Sequence, residues 1–187
     1  MLPSPDGGRL PIRMLRVSGP DIDALARHIV AQSAESGREG SPHFAISRTF
    51  VREEVRHNLA LRLGRELDEP LWGRAWALYA PGGKEIVGNL ELRGGRIPAE
   101  LHRATLGMGI MRAYTGQGHG RRLLESAVEW ARDVARLEWI DLGVFAGNTP
   151  AQRLYARMGF VEVGTRREAF RLDAGVAVDD VQMTLKL

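Results

Sequence analysis

The segment from residue 104 to residue 145 constrains this chain most. Within it, Leu123, Leu124, Ala127, Val128, Ala131 and Val134 recur at helical spacing and predict a helix over Gly120 to Leu137. Ala104 to Arg112 before it and Trp139 to Phe145 after it read as strands, and a glycine-rich turn joins the first strand to the helix. Strand, helix and strand in that order lay the helix across a sheet. Gly107 and Gly109 thin the first strand, which predicts a bulge or the close approach of something else.

The rest of the chain extends this unit. Pro11 to Val17 reads as a short strand. Ser18 and Asp21 then stand at capping-box spacing before a helix with Ile22, Leu25, Ala26, Ile29 and Val30 on one face. Ser36 to Ser47 holds three Ser, two Gly and a Pro and predicts a mobile loop. A second helix is expected from about Phe50 to Leu67, with Val51, Val55, Leu59 and Leu63 in one row. Trp72 to Ala80 and Glu85 to Leu92 form a hairpin around Pro81-Gly82-Gly83-Lys84. A short helix follows over Pro150 to Met158, ended by Gly159, and Phe160 to Arg171 and Ala177 to Leu187 close the chain as a β-pair. One mixed sheet with helices on its faces results. Nothing marks a boundary, so residues 1–10 are read as an N-terminal extension and 11–187 as a single domain. Trp72, Trp76, Trp130 and Trp139 are read as packing.

Composition narrows the chemistry. The 187 residues include no cysteine, which excludes a thiol nucleophile, disulfides and cysteine-ligated metal. Only Lys84 and Lys186 are lysines, so 24 of the 26 basic residues are arginine, and the net charge is only +3. Arginine's high pKa therefore lifts the pI to 9.8 without a basic block, which argues against extended nucleic-acid binding. No stretch approaches the ~18 apolar residues of a membrane span. Met1 to Leu10 carries prolines and glycines rather than an apolar run, so a cytoplasmic protein without a signal peptide is expected.

Two motifs carry chemistry. Thr115-Gly116-Gln117-Gly118-His119-Gly120-Arg121-Arg122 is neither a dinucleotide fingerprint nor a P-loop, because Arg121 stands where the last glycine belongs and no Gly-Lys-Ser/Thr follows. Its glycines nevertheless let main-chain N–H groups converge on the start of a helix, which is an anion site. Arg121 and Arg122 oppose the helix dipole there by roughly 0.3–1 kcal/mol each, a sign that a bound anion reverses. The second motif is Asn148-Thr149-Pro150-Ala151-Gln152-Arg153-Leu154-Tyr155-Ala156-Arg157-Met158-Gly159-Phe160. Thr149 is expected to cap this helix, with Pro150 at its first position. Alone, Tyr155 reads as a core aromatic and Asn148 as a turn residue.

Together the two motifs resemble the GNAT superfamily of acyl-CoA-dependent N-acyltransferases. Gly118 and Gly120 match the small positions of that family's Arg/Gln-x-x-Gly-x-Gly/Ala motif, and Asn148, Ala151, Leu154, Tyr155, Gly159 and Phe160 match its Asn-x-x-Ala-x-x-Leu-Tyr-x-x-x-Gly-Phe motif. Thr115 departs from the usual Arg or Gln. The match is tightest over Ala104 to Phe160. The resemblance implies an α+β fold: a central, mostly antiparallel twisted sheet of about six or seven strands flanked by about four helices.

The resemblance also implies roles. The diphosphate of acetyl-CoA, the co-substrate, lies on the N–H groups of Gly116, Gln117, Gly118, His119, Gly120 and Arg121. The pantetheine arm runs along Met108, Gly109 and Ile110, and Asn148 bonds the arm. An N–H near Ile110 or Met111 polarises the thioester carbonyl, and Tyr155 protonates the leaving thiolate. No metal is needed. The acceptor is a primary amine, first of all on a small molecule (amino acid, polyamine or antibiotic). A protein N-terminus or lysine, or a non-catalytic acyl-CoA sensor, are the alternatives. Gly143 stands where ribosomal-protein alanine acetyltransferases carry a Glu, so the base is open: Glu91 is the first candidate for this catalytic role, His102 the second, and water without a dedicated base is the alternative. His119 is otherwise a tolerated loop side chain. The acceptor pocket is expected between Ser36 to Thr49 and Arg171 to Asp180, and a homodimer is expected by analogy.

Overall fold

The computed structural model describes residues 9–17, 19–172 and 175–187. Its elements run β1 (Ile12–Met14), α1 (Gly19–Ser33), α2 (Arg52–Leu63), β2 (Gly73–Tyr79), β3 (Ile86–Gly94), β4 (Arg103–Ile110), α3 (His119–Asp133), β5 (Trp139–Phe145), α4 (Thr149–Arg157), β6 (Val161–Arg171) and β7 (Ala177–Lys186). The seven strands form one sheet in the order β1-β2-β3-β4-β5-β7-β6. Only β4 and β5 pair in parallel. This is the α+β architecture expected above.

Several boundaries move for local reasons. The second helix runs only to Leu63, with Gly64 as its C-cap still donating its N–H to Ala60. Val51, expected inside that helix, precedes it and is exposed. Two 3-10 turns, Pro98–Glu100 and Arg112–Tyr114, were not signalled by periodicity. The loop after α1 is wound around Ser36, whose buried hydroxyl accepts the N–H groups of Phe44 and Ala45 at 2.9 and 3.1 Å. The Ser18 half of the expected capping box lies outside the described residues, as does most of the N-terminal extension.

Gly107 and Gly109 do not make a bulge: β4 keeps one register against β3 from Gly88↔Ile110 to Gly94↔Ala104. They make room instead. A Cβ at Gly109 would sit 2.7 Å from Oε1 of Gln32 on α1, and one at Gly107 would sit 3.5 Å from Nη2 of Arg93. Irregularities fall instead in β2, between Leu78 and Tyr79, and in β6, between Glu162 and Gly164 and between Arg166 and Phe170.

Strand alternation divides the sheet into two chemistries. Beneath α3 and α4, Leu90, Leu92, Leu106, Ile140, Leu142 and Val144 form the main core with Leu123 and Leu124. Each such leucine contributes roughly 1.5–3 kcal/mol by leaving water. Trp130 packs edge-on against Trp72 and Trp76 at 6.1 and 5.4 Å, so three of the four tryptophans are packing, as read. Trp139 is different: Arg103 and Lys186 lie over its ring at 5.7 and 4.6 Å. On the opposite face α1 and α2 cover β2 and part of β3 with a smaller apolar cluster that includes Leu25, Leu59, Ala75 and Ile86. Farther across that face the floor turns polar.

Candidate active site

The sheet splits at its one parallel junction. β4 and β5 pair over Arg103↔Trp139, Ala104↔Ile140 and Thr105↔Asp141, and then part. β4 stays with β3 as far as Ile110, while β5 stays with β7 as far as Phe145↔Asp180. Met111 donates its N–H to Val87 at 2.9 Å across the β3 side. Alternation in an antiparallel ladder then turns Gly109 and Gly107 toward β3, and Ile110, Met108 and Leu106 toward the fork. Met108 and Ile110 thus offer main-chain donors and acceptors along an edge that β5 has left. Gly109 does not; its missing side chain serves the approach of Gln32.

That edge leads into the glycine turn. Gly116 and Gly118 have φ of +73° and +80°, the left-handed region that favours glycine, and a Cβ at either would meet nothing within 4 Å. Gly118 is the N-cap of α3 and supplies no side chain, so the first-turn N–H groups face outward uncapped. The side chains here are otherwise engaged. Gln117 donates to Ala113 O at 3.1 Å, Thr115 Oγ1 donates to Arg112 O at 2.8 Å, and Arg121 pairs with Glu125 at 2.7 Å. Gly120 answers to packing: a Cβ there would approach Leu154 Cδ2 to 3.0 Å. His119 is not a loop side chain. Its ring is buried, with neither nitrogen hydrogen-bonded, and burial followed by the Arg122 charge lowers its pKa. Only its main chain faces the turn.

Across the fork, α4 starts at the end of β5. Asn148, not Thr149, is its N-cap: Oδ1 accepts the N–H of Ala151 at 3.3 Å. The amide Nδ2 is left to donate elsewhere. Gln152 ties the helix to β5 by donating to Phe145 O and Ala146 O at 3.1 and 2.8 Å. Tyr155 follows two turns in, 6% exposed, with Phe160 at 5.7 Å between ring centroids. Burial pushes its phenol up to about 12.

The carboxylates sit on the polar floor beneath the fork. Glu91 is buried, and Arg62 of α2 takes both its oxygens, at 2.7 and 3.2 Å. His102 is exposed in the turn before β4. The residue that sequence reading missed is Asp180. Its carboxylate is 6% exposed, accepts from Gln182 Nε2 at 2.6 Å and lies 3.8 Å from Arg166. Burial raises its pKa, with Arg166 and Gln182 pulling the other way. A Cβ on Gly143 would stand 2.7 Å from its Oδ1. The carboxylate of β7 therefore occupies the space of the side chain that β5 lacks at Gly143. The only sequence signal was that glycine; which strand would fill the gap depended on the β5–β7 register.

The two segments expected to border an acceptor do meet: Ser36, His43 and Ile46 face Leu172 and Val176 around a cavity of about 250 Å³. Among the described residues no cluster of metal-ligating side chains occurs, and no helix is long and apolar enough to cross a membrane.

Comparison with known proteins agrees with this geometry. Of the chain's relatives, the N-alpha-acetyltransferase RimI of Mycobacterium tuberculosis is 35% identical over 102 residues, 52% of this chain and 60% of that protein. The L-amino acid N-acetyltransferase AaaT of Escherichia coli is 28% identical over 99 residues, 53% and 60% of the two chains. The chain thus spans about 60% of the length of the curated relatives it matches. The ribosomal-protein-alanine N-acetyltransferase of Brucella melitensis superposes over 95% of this chain and 100% of its own, with a TM-score of 0.77 at 23% identity. A GNAT-family acetyltransferase from Streptococcus pneumoniae does so over 96% and 100%, with a TM-score of 0.75 at 21% identity. Residues 46–160 match the acetyltransferase (GNAT) family itself, and the chain belongs to that family.

Proposed function

We propose that this protein transfers an acetyl group from acetyl-CoA to a primary amine of a small molecule, such as an amino acid, polyamine or antibiotic. The observation that carries the reading is the β4–β5 fork, whose open edge at Met108 and Ile110 leads into the uncapped start of α3. Bound acetyl-CoA supplies an acetyl group activated as a thioester. Met108 and Ile110 pair its pantetheine arm as they would an added strand. The main-chain N–H groups from Gly116 to Arg121 receive the diphosphate, and Asn148 donates Nδ2 to the arm.

Ile110 is the N–H that polarises the thioester carbonyl, since Met111 has already given its own to Val87. Asp180 takes the proton of the amine, directly or through one water. As the N–C bond forms and the C–S bond breaks, Tyr155 gives its proton to the departing sulfur. With its pKa pushed up to about 12, Tyr155 holds that proton throughout the working range. Handing it to a thiolate whose conjugate acid has a pKa near 8.5 in water is uphill, and desolvation of the departing thiolate in the same buried site, which raises its basicity, is what narrows that gap. Glu91 supports this floor by holding Arg62 rather than by moving a proton.

Isothermal titration with acetyl-CoA and a thiol-release assay over an amine panel test the reading. Heat of binding together with release is the expected result. Binding without release on any amine favours a sensor, and no binding overturns the proposal. A protein N-terminus is the second reading, favoured by the 35% identity to RimI; faster release on an alanine-starting peptide than on free amino acids selects it.

A further inference from the structure

A second cleft, about 940 Å³ in volume, opens on the α2 side of the polar floor. Arg62, Arg65, Arg93, Arg96 and Arg103 line it, against the two carboxylates Glu100 and Asp141. Two of the five cations are neutralised in place. Arg62 is held by Glu91, and Arg103 donates to both oxygens of Asp141 at 2.6 and 2.7 Å. Arg65 donates to the Pro70 carbonyl. Arg93 and Arg96 have no carboxylate partner among the described residues, and the Nε of Arg93 is buried with no hydrogen bond at all. A desolvated guanidinium donor without an acceptor is costly, and a ligand oxygen removes that cost.

The cleft also reaches the fork. Thr105 and Asp141, the last paired residues of β4 and β5, both line it. Nη2 of Arg93 lies over Gly107, two residues into the opened part of β4. An anionic group held by Arg93 therefore stands about one strand residue, ~3.3 Å along the sheet, from the edge at Met108.

We infer that Arg93 binds an anionic group of the acceptor, so that the amine to be acetylated belongs to a molecule that also carries an acid, a carboxylate or a phosphate ester. The inference rests on the transferase reading above and adds to it the charge class of the acceptor. The arginine fork suits either anion, whereas a polyamine meets a surplus of positive charge.

The test uses the full chain and its Arg93→Gln variant. Acceptors are L-aspartate, O-phospho-L-serine, L-serine amide and spermidine, each followed by thiol release and, with coenzyme A present, by isothermal titration. Acid-bearing amines are expected to exceed the amide and spermidine in kcat/KM or in affinity by about tenfold or more, and Arg93→Gln to erase that preference while acetyl-CoA still binds. Because both acids carry an α-carboxylate, equal use of the two assigns the site to a carboxylate, and a preference for phosphoserine assigns it to a phosphate. Equal or better use of spermidine or the amide, no selective binding of either acid, or a preference that survives Arg93→Gln in a variant with an unchanged circular-dichroism spectrum overturns the inference. Failure of acetyl-CoA itself to bind is read in a separate titration and counts against the transferase reading instead.

Discussion

The two faces of the sheet are made by the same strands and differ in nearly everything else. On β5, Ile140, Leu142 and Val144 point into the leucine-rich core under α3, while Asp141 and Gly143 alternate with them onto the polar floor. On β3, Leu90 and Leu92 are core, and Glu91 and Arg93 are floor. One face holds the sheet together by excluding water. The other keeps charges next to a gap in the sheet, where their cost is met by ion pairs or by a ligand. A strand thus builds scaffold and site at once, because its side-chain period is two.

Four measurements break or sharpen that contrast. Tyr155 is the apolar face's contribution to chemistry, so Tyr155→Phe keeps the ring packing and loses only the hydroxyl. We expect kcat to fall by roughly 10²–10⁴-fold with acetyl-CoA affinity retained; unchanged turnover in steady-state kinetics removes its role as acid. Leu142→Ala, one residue from Gly143 but on the core side, is expected to cost about 2–5 kcal/mol in denaturant unfolding and to leave the acceptor KM of the folded protein alone. A loss below about 0.5 kcal/mol denies that the face is close-packed.

The third concerns His28, buried in α1 above the polar side. Burial drives its pKa from 6.5 down to about 4, only partly offset by the Gly109 main chain and Asn89, neither of which completes a hydrogen bond to the ring. The folded state thus binds this proton less readily than the unfolded one. Its contribution is intact above pH 6.5 and is lost as pH falls toward 4, by about 3 kcal/mol in all. Chemical denaturation across that window is expected to show the slope in the natural protein and a flatter one in His28→Gln. The smallest effect is on the floor itself. Asp180→Asn is expected to lower kcat/KM about 10–100-fold and to shift the acid limb of the pH–rate profile, with little change in acetyl-CoA affinity. An unmoved acid limb assigns the proton to water.

Most elements were legible because each carries its own local signal. The Leu123-to-Ala131 stripe, the Pro81-Gly82-Gly83 turn and the Gly159 stop, with φ of +92°, depend on near neighbours along the chain, and each is found where its pattern predicts. Val134, by contrast, read as the end of the stripe in a helix to Leu137, is the exposed C-cap of a helix that stops at Asp133. Misreadings cluster where one residue serves two neighbours. Asn148 caps α4 in place of Thr149, and His119 turns inward from a turn whose glycines suggested exposure. Glu91, a candidate base by its sequence, is paired by an arginine 29 residues away along the chain. Asp180 is marked in the sequence only as the end of a segment expected to border the acceptor, and its carboxylate finds its place only once β7 lies beside Gly143.

By itself, the order of residues determined the family and the elements, because periodicity, glycine conformation and helix capping act over a few positions of chain. Only the tertiary structure decided which carboxylate stands at the fork, which arginines are already neutralised and that Arg93 is left with a buried donor. Those are facts about distances between strands and helices far apart in sequence, and Coulomb and desolvation energies depend on distance and burial, not on sequence position.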